Sequence, residues 1–174
     1  TSVNQEIVLS KQQAQQVMLA SLGLLTSSRR KANKADVLTT IRQIHNLQID
    51  TISVVARAHQ HILWSRLGSY QTNWLEELHA EGQLFEYFSH AVCLLPIEDY
   101  PLFRALMREK FVGWDNIRDW GHKNADILDQ ILDHIHQNGA VRSSDFESKE
   151  SRGAWWDWKI EKVALEHLYY RGDL

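Results

Sequence analysis

The stretch from Asn124 to Leu174 constrains the fold more than any other. "NADILDQILDHIHQNG" sets Ile127, Leu128, Ile131, Leu132 and Ile135 along one stripe at helical spacing and closes on Gly139. "AVRSSDFE" then offers Ser143 and Ser144 as caps for a short second helix. "AWWDWKIEKVALEHLYYRGDL" reads as a third, longer helix that ends at Gly172. Helix, short helix, longer helix is the order of a helix-turn-helix, and a winged helix follows it with a β-hairpin. The first wing strand would begin at "GDL", where the chain stops, so a longer protein cut before the wing is expected.

The remainder also reads mostly as helix. "LSKQQAQQVMLASLGLL" starts at Ser10 as N-cap and runs through good helix formers to Gly23. "KADVLTTIRQIHN" places Val37, Leu38, Ile41 and Ile44 at helical spacing. "LQIDTISVV", residues 47 to 55, follows as a buried extended segment. "RAHQHILWSRLGSY" is helix ending near Gly68, and "TNWLEELHAEG" is helix capped by Thr72 or Asn73. "QLFEYFSHAVCLLP" suits strand or helix alike, and "EDYPLFRALMREKF" is helix with Pro101 in its first turn. The expected fold class is therefore mainly α with short β segments, in tandem winged-helix units. Residues 1–98 are the expected first winged-helix-like unit. Residues 99–174 are a linker helix and a second helix-turn-helix unit, truncated before its wing.

Length and composition, 174 residues with 44% hydrophobic and 24% charged, fit a globular protein. No apolar run approaches the roughly 20 residues that span a bilayer, and "TSVNQEIVLS" lacks the pattern of a signal peptide. One cysteine, Cys93, excludes an internal disulfide framework and fits a reducing cytoplasm; as a small buried hydrophobe it needs no other role. Charge is unevenly spread. Residues 1–70 hold 8 Lys and Arg against 3 Asp and Glu, residues 71–174 hold 11 against 19, and +5 with −8 gives the net −3. Such asymmetry predicts a basic face, densest at "RRKANK", Arg29 to Lys34, as either a solvated loop or a phosphate-contacting one.

Inside the apolar run at 47–55 stand Gln48 and Asp50, two residues apart and so on one face of an extended chain. By spacing alone they read as caps on backbone at a strand end. Arg57, His59, His61 and Arg66 follow on a helical pattern; Arg57 and His61 share a face, and His59 does not sit with them. His59 and His61, like His134 and His136, are two apart and face away from each other in a helix, so no metal site is expected. "FEYFSH" brings Glu86, Tyr87 and His90. Trp155, Trp156 and Trp158 are most simply core, and Lys159, Lys162 and Arg171 lie near the solvent face of the last helix.

"LQIDTISVVARAHQHILWSRLGSY", "WLEELHAEGQLFEYFSHAVCLLPIEDY" and "GAWWDWKIEKVALEHLYYRGDL" together resemble the YcaQ/AlkZ family of winged-helix DNA glycosylases over nearly the whole chain. The family's catalytic signature is Gln, an apolar residue, then Gln or Asp. "QID" at 48 to 50 resembles the Asp form of the YcaQ branch, which is associated with interstrand crosslinks. The resemblance implies excision of N-alkylated purines such as N7-alkylguanine, unhooking of crosslinks, and double-stranded DNA carrying those lesions as the partner. It implies Asp50 and Gln48 as the catalytic pair, and Tyr87 and His90 as pocket wall, although the residues by themselves favour ordinary core for Tyr87. Arg57, His59, His61 and Arg66 are then candidate DNA contacts. A monomer is expected, with no membrane association, in the cytoplasm and on the nucleoid when bound to DNA.

The chemistry suits such a pair. Breaking an N-glycosidic bond passes through an oxocarbenium-like sugar, which a nearby carboxylate stabilises while it orients or deprotonates water. Alkylation at N7 makes the purine cationic, so it leaves without a proton and no separate general acid is required. No metal or organic cofactor is needed. The alternative is a non-catalytic winged-helix DNA-binding protein or transcriptional regulator in which "QID" is structural.

Overall fold

The computed structural model describes residues 7–25, 30–109, 115–146 and 160–174. The chain divides into two compact units, Thr1–Tyr100 and Pro101–Leu174. It is mainly helical with one small antiparallel sheet. No helix among the described residues is long and apolar enough to cross a membrane. Arg29, Trp155, Trp156, Trp158 and Lys159 lie outside the described residues.

The first unit begins with α1 (Lys11–Ser21), opened by a capping box between Ser10 and Gln13. No residue of α1 is buried. Its C-terminal end is held by two side-chain donors, Gln43 Nε2 to Ala20 O at 2.9 Å and Arg66 Nε to Leu22 O at 2.7 Å. Then come α2 (Lys34–Ile44), β1 (Leu47–Gln48), α3 (Ala58–Leu67), α4 (Asn73–Ala80), β2 (Leu84–Phe88) and β3 (Val92–Pro96). Val37, Leu38 and Ile41 of α2 meet Leu47, Leu63, Leu67, Leu75, Leu78, Leu84 and Leu94 in one core. Two cations of the basic cluster are paired. Arg30 pairs with Asp36 at 2.7 and 2.5 Å, and Lys34 Nζ reaches Glu77 at 3.0 Å and Glu81 at 2.6 Å.

The ambiguous segment after Gly82 is a β-hairpin. β2 and β3 pair antiparallel from Leu84↔Pro96 to Phe88↔Val92 around Ser89–Ala91, and β1 lies on the other side of β3. β3 is therefore central, with Cys93, Leu94, Leu95 and Pro96 all buried. Burial pushes the Cys93 thiol above its ordinary pKa, which keeps it inert. β1 itself is short, and here the expectation of a buried strand through Val55 is corrected. Only Leu47 and Gln48 pair, with Leu94 and Cys93; Ile49 N then donates to Val92 O, where β3 begins. Beyond that point no strand among the described residues pairs with it, and Ser53 makes only an isolated bridge to Arg57. Ile52, Val54 and Val55 are 72%, 92% and 87% exposed.

The second unit holds α5 (Tyr100–Glu109), α6 (Asp115–Lys123), α7 (Ala125–Asn138), a short 3₁₀ turn (Ser143–Asp145) and α8 (Ile160–Arg171). The predicted stripe on α7 is the core-facing one: Leu128 and Ile131 pack with Ala164 and Leu168 of α8, flanked by Ile127, Leu132 and Ile135. α6 escaped the sequence reading. It contributes Ile117, and Gly121 lets it approach α8 closely. His167 of α8 is buried there, its Nδ1–H donating to Ile117 O at 3.1 Å.

Burial lowers the pKa of His59 in the first unit and His167 in the second below the ordinary imidazole value of about 6.5. Above that value both states of the protein are neutral at these positions and stability is complete. As pH falls through it, the unfolded chain takes up protons that the folded chain refuses, so stability is lost on acidification. Urea midpoints are expected to fall between pH 7.5 and pH 5.5, by at most about 1.4 kcal/mol per imidazole. An unchanged midpoint for both units would contradict this.

Candidate active site

The site grows from the point where β1 loses its partner. Gln48, the last residue of the strand, is exposed, and its Oε1 accepts from His90 Nε2 at 3.3 Å. His90 stands on the β2–β3 turn, so the hairpin carries it to the end of β1. Two residues on, half-buried Asp50 turns the chain: its Oδ1 accepts from Ile52 N at 2.8 Å, an Asx-type turn. One carboxylate oxygen is thus anchored, and the other is turned to no hydrogen-bond donor among the described residues. The loop then runs to Arg57, the exposed N-cap of α3, whose backbone N donates to Gln60 Oε1 at 3.1 Å.

His59, within electrostatic reach of the carboxylate, is 7% exposed, with no hydrogen-bond partner for its buried Nδ1 among the described residues. Its pKa is depressed first by burial and next by the Arg57 guanidinium, while the charge of Asp50 acts in the opposite direction. Gln48, Asp50, Arg57, His59 and His90 therefore belong to one neighbourhood. Carboxylate, amide and imidazole at a partly open strand end can orient water and stabilise a nearby cation.

The other sequence-stated candidates separate. Arg66 is half-buried, with Nη1 donating to Ile62 O at 2.8 Å in addition to its bond to Leu22 O, so it ties α3 to the end of α1. Tyr87 is 2% exposed and belongs to the core, not to a pocket wall. His59 is likewise buried beneath the surface where a phosphate would approach. His61 is exposed on α3, as Arg57 is at its start. In the second unit, Lys162 pairs with Glu166 at 3.9 Å and Arg171 with Asp173. Among the described residues no group of three His, Cys, Asp or Glu side chains is placed to hold a metal ion.

With this geometry in place, comparison with known proteins is informative. The family model for AlkZ-like DNA glycosylases matches residues 41–174. The chain belongs to that family. Its members are DNA glycosylases, so the family brings DNA repair, DNA as partner and hydrolysis of N-glycosyl bonds. The AlkZ-like match contains β1, the Asp50 turn, α3 and the β2–β3 hairpin, every element that builds the candidate site. No solved structure matches the chain significantly.

Proposed function

We propose that this AlkZ-like protein excises N7-alkylated purines from double-stranded DNA and unhooks interstrand crosslinks, in the cytoplasm, with Asp50 as the catalytic carboxylate and Gln48 as its partner. The observation that carries it is the placement of Asp50. The carboxylate is half-buried, held by one backbone N–H through Oδ1, and two residues along the chain from the exposed Gln48. As the glycosidic bond lengthens, positive charge grows on the sugar, and Asp50 stabilises it. Water held by Asp50 and Gln48 adds to C1′ and gives its proton to the carboxylate or to solvent. The cationic purine departs as the neutral base. Gln48 is kept in place by His90, which makes the pair a fixed feature of the hairpin end.

The element order of the first unit supports a winged-helix reading: helix, strand, two helices, then a hairpin, with sheet order β1-β3-β2. Its chemistry counts against the regulator alternative. α4, second helix of the α3–α4 pair, carries Glu76 and Glu77 and no Lys or Arg, and Glu81 follows it directly. Glu77 and Glu81 are paired with Lys34, so the helix supplies no cation of its own to the phosphates that line a major groove. Incubation with duplex carrying one N7-methylguanine is the direct test. Expected is release of the free base and an abasic site, with conversion of an N7-linked crosslink into separable strands on a denaturing gel. Intact substrate in both assays, under conditions where the duplex is bound, overturns the proposal.

A further inference from the structure

Beside the Asp50 neighbourhood, in the same unit, α3 forms one side of an open cavity of about 400 Å³. Trp64 is its largest wall and is 61% exposed, a poor state for an indole without a ligand. Half-buried Tyr70 stands with it, its Oη donating to Gln60 O at 3.5 Å. Ala56, Gln60, His61 and Ser69 complete most of the lining, which contains neither a carboxylate nor a Lys or Arg. Such a cavity selects an uncharged flat group with hydrogen-bonding edges. Its volume, near the low end of the roughly 300–1,000 Å³ of small-molecule sites, suits a single ring system.

Two further observations say where such a group comes from. Ala56 follows directly on Val54 and Val55, which are 92% and 87% exposed on the loop that starts at Asp50. Apolar tips of this kind are what proteins insert between base steps to unstack them. Gln60 and His61 of the lining follow directly on His59, which belongs to the Asp50 neighbourhood. We propose that the cavity holds one nucleobase displaced from the DNA stack close to the lesion, stacked on Trp64 with its edge toward Gln60, His61 and Ser69. The target base of a crosslink is tethered to the opposite strand and stays in the duplex. A neighbouring base carries no such tether. The proposal rests on the glycosylase reading for its location, and its test is independent of excision.

Binding of the full chain to a fluorescently labelled thymidine 12-mer is compared with binding to an abasic strand of equal length, at one fixed salt concentration. The two strands carry the same phosphates, so their affinity ratio isolates the bases. Wild-type protein is expected to prefer the base-bearing strand by about tenfold. Trp64→Ala is expected to bring that ratio close to one, and Trp64→Phe, which keeps a π face, to retain most of it. Ala56→Phe fills the cavity from another wall, leaves Trp64 in place, and is expected to remove the preference as well. Circular dichroism confirms that each variant is folded. Equal wild-type affinity for both strands, or a ratio that survives Trp64→Ala or Ala56→Phe, overturns the proposal. Excision is read separately through Asp50, so failure of the glycosylase reading leaves this ratio intact.

Discussion

Asp50→Asn is expected to lower excision of N7-methylguanine by the full-length protein about a thousandfold while leaving duplex affinity within about twofold. The substitution keeps the shape of the side chain, and an Asn Oδ1 still accepts from Ile52 N, so the turn at 50–52 persists. What it removes is one negative charge. Two unit charges about 4 Å apart interact by roughly 4 kcal/mol at an effective dielectric of 20. Realised in the transition state alone, that energy is worth on the order of a thousandfold in rate. Single-turnover base release with wild-type and variant protein, beside anisotropy on the same duplex, gives both numbers. Unchanged excision by Asp50→Asn would sink the catalytic assignment. Parallel loss of binding and excision would make the residue structural. Gln48→Ala is expected to cost less, because the charge stays and only the holding of water is weakened.

Gly121→Ala is expected to destabilise the second unit by about 3 kcal/mol, the upper end of the range for overpacking a core. A Cβ on Gly121 would lie 2.1 Å from both Cε1 and Nδ1 of His167 and 2.6 Å from its Cγ. That ring is 3% exposed and fixed through its bond to Ile117 O, so it has nowhere to retreat. An interior helix glycine ordinarily costs about 1 kcal/mol relative to alanine, and at an unconstrained site the same change would stabilise. The sign of the effect therefore reports the close approach of α6 and α8. Urea unfolding of the variant checks it, and a gain in stability would contradict the packing. In a double-mutant cycle, His167→Ala in the Gly121→Ala background is expected to cost less than His167→Ala alone.

The helices were legible wherever the pattern was local. Ser10 with Gln13 marks the start of α1, and the α7 stripe of five apolar residues marks its buried face, because caps and 3.6-residue periodicity act within a few residues. α6 was missed: nine residues with Gly121 inside carry little periodic signal, and the reason for that glycine is a ring 46 positions away. "LQIDTISVV" misled for a related reason. A short apolar run favours an extended, buried state, but only a partner strand can bury it, and β3 starts opposite Ile49. In the candidate site, Gln48 and Asp50 stood out through family resemblance. Composition and spacing favoured a plain strand end.

The sequence by itself determined the helical class of the fold through local propensity, and through a short motif it carried the family resemblance that singled out Asp50 as the candidate carboxylate. Which of the basic and aromatic candidates reach a surface was decided by the tertiary structure. Arg66 is tied to the end of α1, Tyr87 and His59 are buried, and Trp64, which carried no motif, is left open beside a cavity. Burial depends on what packs against a residue from far along the chain, and neither periodicity nor spacing contains that information.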